Sequence, residues 1–135
     1  MPFAKTETIL VVDDEPLVLS LTSAMLTRYG YSVLTAASGA EAIALFKHSP
    51  SVEVHLLLVD LAMPDMTGVA AVQRISEWRP SLPVLYFSAY SDDESLRPSY
   101  ARGIPFLAKP FTSLQLIKKI RELLDGPNPE SQTSK

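Results

Sequence analysis

Short apolar, β-branched runs recur along the chain at Ile9 to Val12, Val33 to Ala36, His55 to Val59, Pro83 to Phe87 and Ile104 to Leu107. They largely lack the polar alternation of a strand with one wet face, so each predicts a strand covered on both sides. Between them, apolar residues are spaced by three and four: Val18, Leu21, Met25 and Tyr29; Ala42, Leu45 and Phe46; Val69, Val72 and Ile75; Ile117, Ile120 and Leu124. That is the helical period. Gly30, Gly103 and Gly126 stand where helices should stop, and Pro16, Pro50, Pro80, Pro83 and Pro110 stand at joints. One more helix is announced by the capping box from Ser91 to Glu94, and Pro98 inside it predicts a helix that is short, kinked or late to start. Five strands alternating with five helices predict an α/β fold, a doubly wound parallel sheet with helices on both faces and right-handed crossovers.

Composition narrows the function. A chain of 135 residues with 47% hydrophobic content suits one domain with a single core. Its net charge of -3 does not suggest a nucleic-acid surface. The absence of cysteine excludes disulfides, thiolate metal sites and cysteine nucleophiles. No stretch approaches the ~20 apolar residues of a membrane span, and the N-terminal apolar run is too short for a signal peptide. These features lead us to expect a cytoplasmic protein without membrane insertion. Residues 1–6 read as an extension and 7–125 as the domain. Residues 126–135, GPNPESQTSK, lack large apolar side chains and read as a disordered tail.

Candidate chemistry collects at one sheet edge. In open parallel sheets, ligands bind beyond the carboxyl ends of the strands. Here the first strand runs into Asp13 and Asp14, the third ends in Asp60, the fourth in Ser88 and the fifth in Lys109, while the second ends in Ala36 and Ala37. A strand order of 2-1-3-4-5 would make the polar ends neighbours. Each residue alone has an ordinary explanation as a turn, cap or surface group, but five on one edge point to a site. Carboxylates ~6 Å apart at an effective dielectric of about 20 repel by about 3 kcal/mol per pair, so three need a positive partner. Lys109 supplies one charge. A hard divalent cation fits better, since carboxylates, water and a backbone carbonyl meet the octahedral oxygen demand of Mg2+. Glu15 is expected apart from this group, in the first turn of a helix, where it complements the dipole beside Pro16.

The pair Asp13-Asp14, the D-x-x-M-P-x-x-x-G stretch beginning at Asp60, Ser88 followed by Ala89, and Lys109-Pro110-Phe111 together resemble the receiver domain of bacterial two-component response regulators. The resemblance covers about residues 7 to 125 and implies the flavodoxin-like topology. It implies that Asp60 takes a phosphoryl group from a phosphohistidine on a histidine kinase or histidine phosphotransfer protein. Asp13, Asp14, Asp60 and the main-chain carbonyl of Ala62 would hold Mg2+, and Ser88 and Lys109 would contact phosphoryl oxygens. Such transfer needs in-line positioning and charge neutralisation more than a proton acceptor, so His48 and His55 are expected to be ordinary helix-end and strand residues. A switch is implied in which Ser88 moves inward and Phe106 turns into the vacated space; lacking a phenolic hydroxyl, Phe106 would differ between its positions by packing. The family pattern and the tight turn also suggest a cis Lys109-Pro110 bond. Tyr90, bulky and two residues after Ser88, is expected to obstruct the attacking water and slow hydrolysis of the phosphoaspartate.

Other classes fit less well. A haloacid-dehalogenase-type phosphatase needs a second acid two residues after the nucleophile, where this chain has Ala62. A flavodoxin needs a loop that cradles phosphate after the first strand, where DDEP would repel it. A phosphorylation-independent module of receiver shape is the remaining alternative. On the receiver reading the chain is a signalling module that catalyses its own phosphorylation and slow dephosphorylation. It would be either free-standing or cut from a larger protein such as a hybrid kinase. Its output would pass by protein contact to an unidentified partner, or through a phosphorylation-dependent homodimer. The expected contact face carries Arg97, Tyr100, Arg102 and Lys118.

Overall fold

The computed structural model describes residues 6–88 and 104–125. The expectations for Tyr90, for the helix containing Pro98, for Arg97, Tyr100 and Arg102, and for the tail from 126 fall outside these residues. Five parallel strands, β1 (Thr8–Val12), β2 (Ser32–Ala36), β3 (Leu56–Asp60), β4 (Val84–Ser88) and β5 (Phe106–Ala108), lie in the order β2-β1-β3-β4-β5. The described helices are α1 (Pro16–Arg28), α2 (Gly39–His48), α3 (Gly68–Ile75) and α4 (Ser113–Asp125).

Alternation along each strand divides the core in two. Leu10, Val12, Leu57 and Val59 face a layer containing Ala42 and Phe46 of α2 and Ala71 and Ile75 of α3. Ile9, Val11, Leu56 and Leu58 face Leu26 of α1 and Leu116 and Ile120 of α4. Both faces are covered, which is why the strands read as unbroken apolar runs. Every residue of β3 is buried, as befits its place at the centre of the sheet.

The structure corrects several boundaries and faces. β3 begins at Leu56, and His55 just before it accepts a hydrogen bond at Nδ1 from the Thr8 N–H at 2.9 Å. β5 runs from Phe106 to Ala108, two residues later than its apolar run begins. His48 closes α2, as expected. The inward face of α1 is centred on Thr22 and Leu26, whereas Leu21 and Tyr29 are exposed. Apolar residues occur all round α1, so its spacing alone admits more than one stripe. Gly30 ends this helix with φ +93°, a left-handed conformation that side chains with a Cβ rarely adopt.

Strand order now places the carboxyl ends of β1, β3, β4 and β5 side by side, with β2 at the far edge.

Candidate functional site

Asp13 extends β1 by one ladder bond, its N–H donating to the Ala36 carbonyl at 3.1 Å. Its side chain is wholly buried. Oδ1 accepts the Glu15 N–H at 2.9 Å, and Oδ2 lies 2.9 Å from Lys109 Nζ. Asp60 ends β3 and is 5% exposed. One of its oxygens accepts the Ala62 N–H at 3.3 Å, and the other lies 3.5 Å from Lys109 Nζ. Asp14, half-buried, completes a cluster: one oxygen from each of Asp13, Asp14 and Asp60 lies within 4.8 Å of the others.

Lys109 reaches the cluster from the end of β5. Its N–H donates to the Ser88 carbonyl at 2.7 Å, so the main chain that delivers the ammonium is pinned to the end of β4. The peptide bond to Pro110 is cis, as expected. The ammonium also lies 4.8 Å from the centroid of the Phe87 ring, a cation–π contact on its apolar side. Ser88 is 4% exposed, and Phe106 is 8% exposed within the layer that holds Leu57, Val59 and Tyr86.

The electrostatics follow from this burial. Burial pushes the Asp60 carboxyl up to about 6; the Lys109 charge opposes the rise and the Asp13 charge adds to it. For Lys109, burial favours loss of the proton, but the bond to Asp13 and the charges of Asp60, Asp13 and Glu15 outweigh it and hold the ammonium above its ordinary range. Three carboxylates against one ammonium leave two negative charges gathered at one point. All three donors are hard oxygens. That donor set and that charge suit a small divalent cation such as Mg2+, with Asp13, Asp14 and Asp60 as the residues able to hold it.

All five strand-end positions named from the sequence, Asp13, Asp14, Asp60, Ser88 and Lys109, meet at this edge. Glu15 departs from expectation. It is the N-cap residue of α1, not part of its first turn, and its Oε1 stands 3.7 Å from Lys109 Nζ at the exposed rim. The role of Gly68 was not evident beforehand. A Cβ there would lie 2.4 Å from the Asp60 carbonyl oxygen, so only glycine lets α3 start against the end of β3. Phe87 was also missed, because a β4 aromatic reads as core; only its position between strands that end in Asp60 and Lys109 marks it.

Residues 9–121 match the family of response regulator receiver domains, and the chain belongs to that family. It is 33% identical over 118 residues to the probable transcriptional regulatory protein TcrX of Mycobacterium tuberculosis, covering 87% of this chain and 49% of TcrX. The chain thus spans about half the length of that relative. It is 32% identical over 124 residues to the sensor kinase CckA of Brucella abortus, of which it covers 12%, and 87% of this chain is matched. Among solved structures, the response regulator TrrA of Thermotoga maritima, in complex with Mg2+-BeF, superposes with a TM-score of 0.74 at 31% identity. That match covers 88% of this chain and all of TrrA. The fold and the family make this a receiver domain of two-component signalling. No helix among the described residues is long and apolar enough to cross a membrane.

Proposed function

We propose that Asp60 accepts a phosphoryl group from a phosphohistidine of a histidine kinase or histidine phosphotransfer protein, within a domain spanning residues 7–125. The observation that carries this reading is the convergence of three carboxylate oxygens within 4.8 Å with Lys109 Nζ on two of those carboxylates. In the transfer, the phosphorus–nitrogen bond of the donor breaks as a carboxylate oxygen of Asp60 bonds to phosphorus. The electron pair of the broken bond stays on the donor imidazole. Asp60 acts as an anion, so no proton need be removed from it at neutral pH, above its value of about 6.

Asp13, Asp14, Asp60 and the carbonyl of Ala62 would hold Mg2+, which, when bound, offsets the negative charge that carboxylates and phosphoryl oxygens bring together. Lys109 is placed to follow the charge. Its ammonium already bridges Asp13 and Asp60, and a phosphoryl group on Asp60 gives it a new anionic partner close by. Ser88, at the end of the neighbouring strand, is read as the hydroxyl that contacts a phosphoryl oxygen. β4 and β5 pair Tyr86 with Phe106 and Ser88 with Ala108, so movement at Ser88 has a short path to Phe106. That path supports a phosphorylation-dependent change in the surface offered to an output partner or to a second copy.

Acetyl phosphate with Mg2+ tests the reading. Wild type should be labelled on Asp60, and Asp60→Asn should not. Absence of label on wild type would instead leave a binding module of receiver shape.

A further inference from the structure

The first four N–H groups of a helix lack carbonyl partners within it. At the start of α2, Ser38 Oγ accepts the Glu41 N–H at 3.0 Å. The two preceding donors turn to a distant residue: Gly39 N–H donates to Asp65 Oδ1 at 3.3 Å, and Ala40 N–H donates to Asp65 Oδ2 at 2.9 Å. Asp65 lies in the loop that follows Asp60. Met66 beside it covers Gly39 so closely that a Cβ there would stand 2.6 Å from Met66 Cγ. The same loop is folded on itself by the Ala62–Thr67 bridge and by the Gly68 N–H on the Leu61 carbonyl at 2.8 Å. Its far end starts α3, where Thr67 Oγ1 accepts the Ala70 N–H at 3.1 Å.

We infer that Asp65 is a positioning residue for the Asp60 site, acting through the main chain of Ala62. The inference rests on the reading of Asp60, with Ala62, as a metal-binding phosphoryl acceptor. Asp60 and Ala62 are joined by the Ala62 N–H on an Asp60 oxygen, and the Ala62 carbonyl is the proposed metal ligand. Met63 and Met66 pack this segment against the core layer, but apolar packing is not directional and leaves the polar tie to α2 to another residue. The carboxylate of Asp65 supplies that tie with two oxygens on two N–H groups, at a helix end whose dipole favours an anion. Because Asp65 is exposed, its bonds compete with water. Its effect therefore falls more on where the loop sits than on whether the domain folds.

Two caps on one helix give an internal control. Asp65→Ala removes the cap that ties the loop, and Ser38→Ala removes the local one. Calorimetric titration with Mg2+ should show a Kd raised about tenfold in Asp65→Ala, in line with the loss of groups that orient metal ligands, and unchanged in Ser38→Ala. The amide resonances of Ala62 and Gly68, recorded without metal, should shift in Asp65→Ala and stay in place in Ser38→Ala. Asp65→Asn, which keeps one accepting oxygen, should fall between and serves if the alanine variant does not fold. Wild-type affinity in the Asp65 variants together with unmoved Ala62 resonances overturns the positioning role and leaves the site reading intact. A wild type that neither binds Mg2+ nor takes label on Asp60 overturns both.

Discussion

Lys109 Nζ lies 2.9 Å from Asp13 Oδ2, across 96 residues of sequence, and this contact also holds the ammonium 3.5 Å from Asp60. Asp13 has no solvent exposure; the Lys109 ammonium supplies its counter-charge and the Glu15 N–H donates to its other oxygen. Replacing Lys109 by methionine leaves a buried carboxylate without its counter-charge, and without Mg2+ this should destabilise the protein by about 3 kcal/mol. The double variant Asp13→Asn with Lys109→Met should recover part of the loss. Denaturant unfolding of the four proteins closes the cycle, and strictly additive losses would mean that the pair does not interact.

Asp60 gives a pH dependence with a definite sign. In the fold its carboxyl titrates at about 6 against an ordinary 3.8, so between those values the folded state binds more protons than the unfolded chain. Stability without Mg2+ therefore falls as pH rises through that window, and above it the ionised group opposes folding. Asp60→Asn removes the opposition. It should stabilise the metal-free protein by about 1 to 2 kcal/mol near pH 7.5, less than the full shift implies because water at the open edge screens the charge. The gain should vanish toward pH 4. Unfolding midpoints in a chelator at both pH values decide the matter, and an equal gain at both would remove the assigned cause.

Gly68→Ala tests the close approach of α3 to β3. On helix propensity alone, alanine should be better than glycine by up to about 1 kcal/mol. The added Cβ, however, would meet the Asp60 carbonyl oxygen at 2.4 Å. We expect a net loss of about 2 kcal/mol, with weaker labelling by acetyl phosphate because the strand end must shift. A stabilised variant would show that the backbone moves aside without cost.

Arg79 ties together the opposite end of the molecule. Its guanidinium donates to the carbonyls of Pro50, at 2.7 Å, and Val52, and lies 5.3 Å from the Phe46 ring centroid. Arg79→Ala should cost about 1 to 2 kcal/mol through the lost bond to the part-buried Val52 carbonyl and the lost ring contact. It should leave Mg2+ affinity unchanged, and a calorimetric titration that shows weaker binding would refute this separation of scaffold from site.

Much of this domain could be read from local pattern. The runs ILVV and LLLV specify strands covered on both faces, and the acids that follow them mark the edge where chemistry gathers, because alternation and burial are properties of a single segment. The tertiary structure decided what depends on distance between segments. It selected Thr22 and Leu26 over Leu21 and Tyr29 as the buried face of α1, brought Glu15 to the rim of the site, and set Gly68 against the carbonyl of Asp60. It also raised the proton affinity of Asp60, through burial and the charge of Asp13 against the opposing charge of Lys109. Periodicity reports how one element meets its surroundings; which atoms share a few ångströms is settled by strand order and register, and those exist only once the sheet has formed.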